Sequence, residues 1–378
     1  MDATLSLVPG PDVAIVGAGI IGLSAAFHLA ERRAGRIVVY ERDGIGAGAS
    51  GVQPGGVRQQ WSTRVNCLLA RASLDFYRCA AERLESQADL RFRACGYLFV
   101  AHEPATLERL RADVALQNEL GIPSRIVDAA EAVELVPDLA TDALAGASWC
   151  DEDGYFDRPQ AVIEAFVEAV RRRGVEIQRA HVAAVEAGPR LRLGGGEAVA
   201  AGAVVVAAAA AAKGIVRALN DLPIEPEQRF VFLSDPLNER LLDPLVVAPD
   251  RRFAAKQLAD GRVLAADLSP ANGGPQARAH VRTIASELLP RLEFVALPLV
   301  VGGTYDMTPD GHGIVDAIDA NARVVVAAGF DGHGFMVAPE VGRCAAAIVL
   351  GEDVPGHVRE LRADRFATAP LQRESRLI

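Results

Sequence analysis

Residues Asp12–Glu41, "DVAIVGAGIIGLSAAFHLAERRAGRIVVYE", constrain the fold more than any other stretch of the chain. Val13–Val16 is a short apolar run of strand type. Gly17, Gly19 and Gly22 follow at once as G-x-G-x-x-G. A helix is expected over Gly19–Arg33 and a second strand over Ile37–Glu41. In such a unit the first glycine permits the tight turn, and the second lets backbone approach a pyrophosphate. The third lets helix and strand pack closely. The helix N-terminus then presents free N–H groups and a positive dipole end to phosphate. Glu41 closes the second strand 19 residues beyond Gly22, where a carboxylate accepts hydrogen bonds from ribose hydroxyls. These residues point to a dinucleotide site. The acid at Glu41 would repel a 2′-phosphate, which disfavours NADP and leaves NAD and FAD open.

The chain has 378 residues, 50% of them hydrophobic, enough for a large core divided between two domains. Thirty-nine basic against 49 acidic residues give a formal net charge of −10, a surface unsuited to nucleic acid or anionic lipid. Cys67, Cys79, Cys95, Cys150 and Cys344 form no C-x-x-C pair and read as reduced thiols of a cytoplasmic protein. The opening "MDATLSLVPGPD" has no basic n-region and no apolar h-region, so no signal peptide is expected. The longest uncharged apolar run, Ala198–Ala212, is too short and too rich in alanine for a membrane span. No metal site is expected.

Further along, Gly44–Gly56 reads as a glycine-rich loop and Asn66–Leu84 as a helix. A strand over Tyr97–Ala101 and a helix over Pro104–Leu120 come next. Pro159–Arg173 has proline near its start and basic residues in its last turn, as helix ends prefer. Val175–Ile177, His181–Val185 and Arg190–Leu193 alternate like strands, with a hairpin turn at Gly194–Gly196 and a buried strand at Ala203–Ala207. Arg229–Gly302 is mostly β, broken by a helix over Pro275–Leu289. Arg323–Ala328 is a strand and Ala338–Leu350 a closing helix. The pattern predicts an α/β protein. A Rossmann-like domain is expected from 1–90, 151–215 and 303–378, and a smaller α+β domain with an antiparallel sheet from 91–150 and 216–302.

Several stretches carry a resemblance. "GIGAGASGVQPGGVRQQW" (Gly44–Trp61), "DEDGYFDRPQAVIEAFVEAVRRRGVEI" (Asp151–Ile177), "GGTYDMTPDGHGIVDAI" (Gly302–Ile318) and "AAGFDGHGFMVAPEVGRCAAAIV" (Ala327–Val349) stand in this order. Together with the opening unit they resemble the FAD-dependent amine and amino-acid oxidoreductases: D-amino-acid oxidase, glycine oxidase and the sarcosine oxidases. The resemblance implies FAD, held by Gly17, Ala18, Gly19, Ile20, Ile21, Gly22, Glu41 and Arg42. It further implies Ala49, Ser50, Gly55, Gly56, Val57 and Val182, and, in the late loop, Gly329, Gly332, His333, Gly334, Phe335 and Met336. In this family the start of that last helix faces the flavin pyrimidine edge, where its positive end stabilises negative charge on the reduced ring.

The same resemblance implies oxidation of a carbon next to an amine nitrogen, with the hydride going to flavin N5, the imine hydrolysing and oxygen reoxidising the flavin. FAD does the redox chemistry and the protein positions and tunes. Arg58, Lys256, Tyr305 and His333 are the candidate catalytic residues. Arg58 would hold a substrate carboxylate or bias the ring. Lys256 falls in a region where sarcosine oxidase-like relatives keep an oxygen-activating lysine, although by itself it reads as a solvated strand lysine. Tyr305 would orient the substrate, and His333 would polarise the flavin or bond a backbone carbonyl. His312 and Asp331 read as turn residues.

The chain also departs from the family pattern. Gly303 stands where covalent-flavin relatives have cysteine, so the FAD is expected to be non-covalent. The arginine that amino-acid-using relatives keep near Tyr305 is absent, and Met336 replaces a lysine. Ala209 stands where relatives have a glycine that lets backbone pass near the FAD; alanine restricts positive φ. Three alternatives stay open: the catalytic subunit of a hetero-oligomeric amine, proline or opine dehydrogenase that passes electrons to a partner, oxidation of a 2-hydroxy acid, and a catalytically weak flavin-binding scaffold. Homo- or hetero-oligomers are compatible with any of them.

Overall fold

The structure, a computed structural model, describes residues 10–375 except 220, 270–273, 320, 322 and 369. Most of the "MDATLSLVPGPD" stretch, on which the signal-peptide expectation rests, lies outside the described residues. A six-stranded sheet runs in the order Ile314–Ala317, Val324–Ala328, Ala203–Val206, Val13–Val16, Ile37–Glu41, Glu176–Arg179. Its strands pair in parallel except Ile314–Ala317, which is antiparallel. Strand residues alternate between faces, and here each face has its own core. Val13, Ile15, Val39, Val205 and Val325 pack with helices Ile20–Glu31, Pro159–Arg172 and Gly334–Leu350. Ala14, Val16, Val38, Val204 and Val326 pack on the opposite side with Val185 and Leu191 of the three-stranded sheet formed by Val182–Glu186, Arg190–Leu193 and Ala198–Ala200. Burial on both faces explains why the inner strands Val13–Val16, Ala203–Val206 and Val324–Ala328 are continuously apolar.

An eight-stranded sheet runs in the order Leu299–Met307, Glu225–Leu233, Val263–Asp267, Phe253–Gln257, Leu245–Ala248, Tyr97–Ala101, Gly146–Cys150, Arg125–Val127. It is antiparallel apart from the parallel pair of Leu245–Ala248 with Tyr97–Ala101. Helix Gly274–Leu288 covers one face, its Ala277, Val281, Ile284 and Leu288 packing with Phe232, Phe253, Ala255 and Ala265. Leu299–Met307 runs through position 302/303, where the sequence reading divides the chain. Gln53, Gly332 and Phe335, of the early and late flavin-type loops, line the same cavity as residues of this sheet.

Three local differences from the sequence reading have physical causes. The closing helix starts at Gly334, four residues before Ala338, and contains Pro339. Proline has no N–H for the carbonyl four residues back; that carbonyl, on Phe335, instead accepts from Tyr77 Oη. The helix expected over Asn66–Leu84 is two, Arg64–Arg78 and Ala80–Arg83, with Cys79 between them. Strands Arg125–Val127 and Gly146–Cys150 and helix Ala129–Leu135 were not anticipated. The helix is announced by Asp128, whose side chain accepts from Glu131 N at 2.9 Å as an N-cap does. All five cysteines are free thiols. Among the described residues no helix is long and apolar enough to cross a membrane.

Candidate cofactor and substrate site

The glycine turn after Val16 is built as its sequence demands. Gly17 has φ +106°, and a Cβ there would lie 2.4 Å from the Ala207 carbonyl oxygen; a Cβ on Gly22 would lie 2.1 Å from the carbonyl oxygen of Gly17. Neither position admits a side chain. Ile20 N, at the helix head, donates to Ser50 Oγ at 3.1 Å, which ties the early loop to the turn. Glu41 Oε2 accepts from Ala18 N at 2.8 Å, and Oε1 accepts from Asp43 N and Gly44 N at 2.8 and 3.2 Å. An ionised carboxylate has about four acceptor sites, so Glu41 fixes the turn and keeps capacity for a hydroxyl donor.

These groups border a cavity of about 920 Å³, near the upper end of the volumes of small-molecule sites. Of the expected cofactor residues, Gly17, Gly19, Ile20, Ile21, Glu41 and Arg42 line it. So do Ala49, Ser50, Val182, Gly332, Gly334 and Phe335. Gly56, His333 and Met336 line a second, smaller cavity. Ala18, Gly22, Gly55, Val57 and Gly329 line neither of the two. Ala18 and Gly22 shape the turn as described. Gly55 bonds Gln53 Oε1, and Val57 pairs with Gly154. Gly329 N donates to Asp306 Oδ2 at 2.7 Å. Ala209 also lines the large cavity and has φ +47°, so an alanine occupies a left-handed position there. Lys213, paired with Glu225 at 2.5 Å, and Asp306 line the large cavity too and were not singled out in the sequence. Volume, glycine cradle, helix head and acid together fit FAD.

The second cavity holds about 60 Å³, room for roughly four water molecules. It shares Gln53, Gly332 and Phe335 with the large one, and Arg58, Lys256, Tyr305 and His333 all line it. One sheet face supplies two of these. Residues two apart on a strand, and directly paired cross-strand partners, share a face. Arg229 pairs with Gly303, and Tyr305 lies two residues on; Val231 pairs with Ala266, Ala266 with Ala254, and Leu264 with Lys256. Arg229, Tyr305 and Lys256 therefore point from the face that the helix Gly274–Leu288 leaves uncovered. An arginine does stand near Tyr305, contrary to the sequence expectation: the guanidinium carbon of Arg229 sits 5.6 Å from the centre of the Tyr305 ring. The sequence reading missed it because the two are 76 residues apart and meet only through strand pairing. Arg229 also pairs with Glu227 and donates to the Ser269 carbonyl at 3.0 Å.

Lys256 is fully buried, and the solvated-strand reading is corrected accordingly. Its Nζ has no hydrogen-bond partner among the described residues and lies 3.9 Å from the centre of the Tyr155 ring. Burial lowers its pKa to about 7. Arg58 is also fully buried, its guanidinium stacked 3.5 Å over the Trp61 ring and donating to the Gln60 carbonyl. His333 lies 4.5 Å from Trp61, centroid to centroid, and neither ring nitrogen has a hydrogen-bond partner among the described residues. Burial, reinforced by Arg58, holds its pKa well below the ordinary histidine value, so the ring is neutral.

Behind the late loop lies a buried acidic network. Asp331, at φ +50°, accepts from Thr308 N and Oγ1, each at 2.9 Å. Burial, with Asp306 and Asp310 nearby, raises its pKa to about 7. Burial also raises Asp310, but bonds from His312 and Arg365 outweigh it and hold that carboxyl far below its usual value. Asp331 and His312 are thus more than turn residues: both are buried and tie the loop to its neighbours. Among the described residues no cluster of His, Cys, Asp or Glu is arranged to hold a metal ion.

Comparison with known proteins agrees with this geometry. FAD-dependent oxidoreductase domain-containing protein 1 of Bos taurus is 27% identical over 413 residues, covering 94% of this chain and 83% of the relative. Glycine oxidase of Geobacillus kaustophilus is 33% identical over 153 residues, 39% of this chain and 40% of that one. Among solved structures, L-proline dehydrogenase from P. horikoshii superposes with a TM-score of 0.89 at 25% identity, covering 97% of this chain and 100% of that chain. Glycine oxidase from G. kaustophilus gives 0.84 at 25% identity, covering 94% and 98%. Residues 12–348 match the DAO family, described as FAD dependent oxidoreductase. With that match lying over the turn, the acid and both loops, the chain belongs to the DAO family of FAD-dependent oxidoreductases.

Proposed function

We propose that this chain oxidises the C–N bond of a small amino acid or its N-alkyl derivative. The observation that carries the reading is the Arg229–Tyr305 pair on the wall of a small cavity that adjoins the cofactor cavity through Gly332 and Phe335. When bound, FAD supplies the hydride acceptor. Arg229 takes the substrate carboxylate, because a guanidinium fork matches a planar carboxylate. Tyr305 orients the carboxylate or the amine through its hydroxyl. Arg58 fixes positive charge against Trp61 and the neutral His333. Lys256 adds a titratable amine to the same pocket. The parts built on the six-stranded sheet (1–90, 151–215, 303–378) hold the cofactor, and the eight-stranded sheet supplies the substrate wall. Five free thiols suit a reducing, cytoplasmic compartment.

Oxygen is the acceptor in the first reading. A partner protein is the acceptor in a second, which one observation favours: Phe294, Leu299 and Val300 are 89, 49 and 48% exposed beside and along the edge strand of the eight-stranded sheet. The test is the visible spectrum of the purified protein under anaerobic addition of amines, amino acids and 2-hydroxy acids. Bleaching by a small amino acid supports the proposal, and bleaching by 2-hydroxy acids alone overturns it. Admitting air then separates oxidase, which recolours within seconds, from dehydrogenase, which does not.

A further inference from the structure

The chain contains only two lysines, Lys213 and Lys256; its other 37 basic residues are arginine. Arginine serves wherever a fixed cation is enough, but a guanidinium stays protonated and has no lone pair to offer. Lysine is the only side chain here that supplies a primary amine. Lys213 is partly exposed and paired with Glu225. Lys256 is fully buried, has no hydrogen-bond partner among the described residues, and lines the small cavity.

We infer that Lys256 Nζ is a nucleophilic amine that condenses reversibly with a small 2-oxo acid in this cavity. The chemistry needs an amine with its lone pair free, a carbonyl within reach and something to hold the carbonyl compound. No carboxylate bonds Nζ to keep it protonated. The charged and titratable groups that bear on it are Asp157, Cys95, Arg93 and Arg240; burial outweighs the acids and leaves the pKa at about 7. A substantial fraction of the amine is therefore neutral at physiological pH, which is the state that attacks carbonyls. The face of the Tyr155 ring lies 3.9 Å from Nζ; it favours the ammonium form but bonds no proton and leaves the lone pair free once the amine is neutral. Arg229 lies on the same sheet face and is the anchor for the carboxylate. The cavity of about 60 Å³ favours a small compound.

In the step itself, the Nζ lone pair adds to the carbonyl carbon and one N–H proton passes to the oxygen, giving a carbinolamine. The second N–H proton leaves with that oxygen as water, and the imine remains. No oxidant or reductant is consumed. The choice of a 2-oxo acid rests on the amino-acid reading above, because that oxidation releases such a compound where Lys256 stands. Condensation would hold the product and slow its release.

The test is reductive trapping. The FAD-loaded enzyme is incubated with glyoxylate or pyruvate and cyanoborohydride at neutral pH, then digested and mapped by mass. The expected result is an adduct on Lys256 at least tenfold more abundant than on Lys213, with a lower yield from acetaldehyde, which has no carboxylate. Lys256→Met and Lys256→Arg should both lose the adduct. Label on Lys213 alone, no label, or labelling of Lys256 that appears only toward pH 10, would overturn the inference. The two readings fail separately. A flavin that no amine bleaches, in an enzyme that still labels at Lys256, sinks the oxidation and leaves the nucleophile standing. A flavin that bleaches in an enzyme that never labels does the reverse.

Discussion

Tyr77 donates its hydroxyl hydrogen bond to the carbonyl of Phe335, the helical acceptor that Pro339 leaves without an N–H. The helix Arg64–Arg78 thereby completes the first turns of the helix whose start borders both cavities; Ser73 of the same helix also accepts from Glu340 N at 3.2 Å. A Tyr77→Phe change leaves a buried carbonyl unsatisfied, which costs about 1–3 kcal/mol. The expected outcome is a lower Tm, measured by thermal melting of the FAD-loaded protein, together with weaker FAD retention on dilution. A melt identical to the wild type would show that the bond does not support the helix start.

Ala209 has φ +47° on the wall of the cofactor cavity. A left-handed conformation costs an L-residue roughly 1–2 kcal/mol, and the extra freedom of glycine in the unfolded chain returns about 0.4–1 kcal/mol of that. Ala209→Gly should therefore raise stability by up to about 1.6 kcal/mol, read from urea unfolding. FAD should bind at least as tightly as in the wild type. A loss of stability would mean that the surrounding turn has already relaxed around the methyl group.

Arg229→Gln removes the cation next to Tyr305. A hydrogen bond to a charged group contributes about 1.5–3 kcal/mol, so KM for carboxylate-bearing substrates should rise roughly 10- to 150-fold. The corresponding neutral amines should be affected little. Equal losses on both classes would assign Arg229 to the fold, through Glu227 and Ser269, instead of to the substrate.

The Asp331 carboxyl has its pKa raised by burial to about 7 in the folded protein, against about 3.9 unfolded. Between these values the folded state binds more protons than the unfolded one, so stability falls as pH rises from about 4 to 7 and stays low above. Asparagine tolerates positive φ and keeps an acceptor for Thr308. Asp331→Asn should remove this slope: the variant matches the wild type near pH 4 and exceeds it at pH 8. Parallel stability curves across that range would place the proton elsewhere.

The sequence made some features plain and hid others, and the division follows locality. The turn Gly17–Gly22 and its acid are legible because their motif lies within thirty residues, and the structure builds the glycine turn where the motif puts it, with Glu41 bonded to Ala18 N. Arg229 was invisible because its nearness to Tyr305 depends on a register between strands far apart in the chain. Lys256 looked like a surface lysine because a five-residue strand, "FAAKQ", does not say which face is covered; all five residues are buried. The first turn of the helix Gly334–Leu350 is hidden for the same reason, since the donor that compensates for Pro339 comes from another helix.

The order of strands in the six-stranded sheet bears on how the protein is made. Val13–Val16 is synthesised well before its neighbour Ala203–Val206, which follows some 190 residues later, and Val324–Ala328 comes later still. Sheets built from such distant segments close slowly and leave apolar edges bare meanwhile. The nucleotide turn is thus synthesised well before it is completed, because the Ala207 carbonyl that packs against Gly17 arrives with the later strand. Chains that stop short of residue 328 carry the glycine motif without the complete sheet that gives it shape.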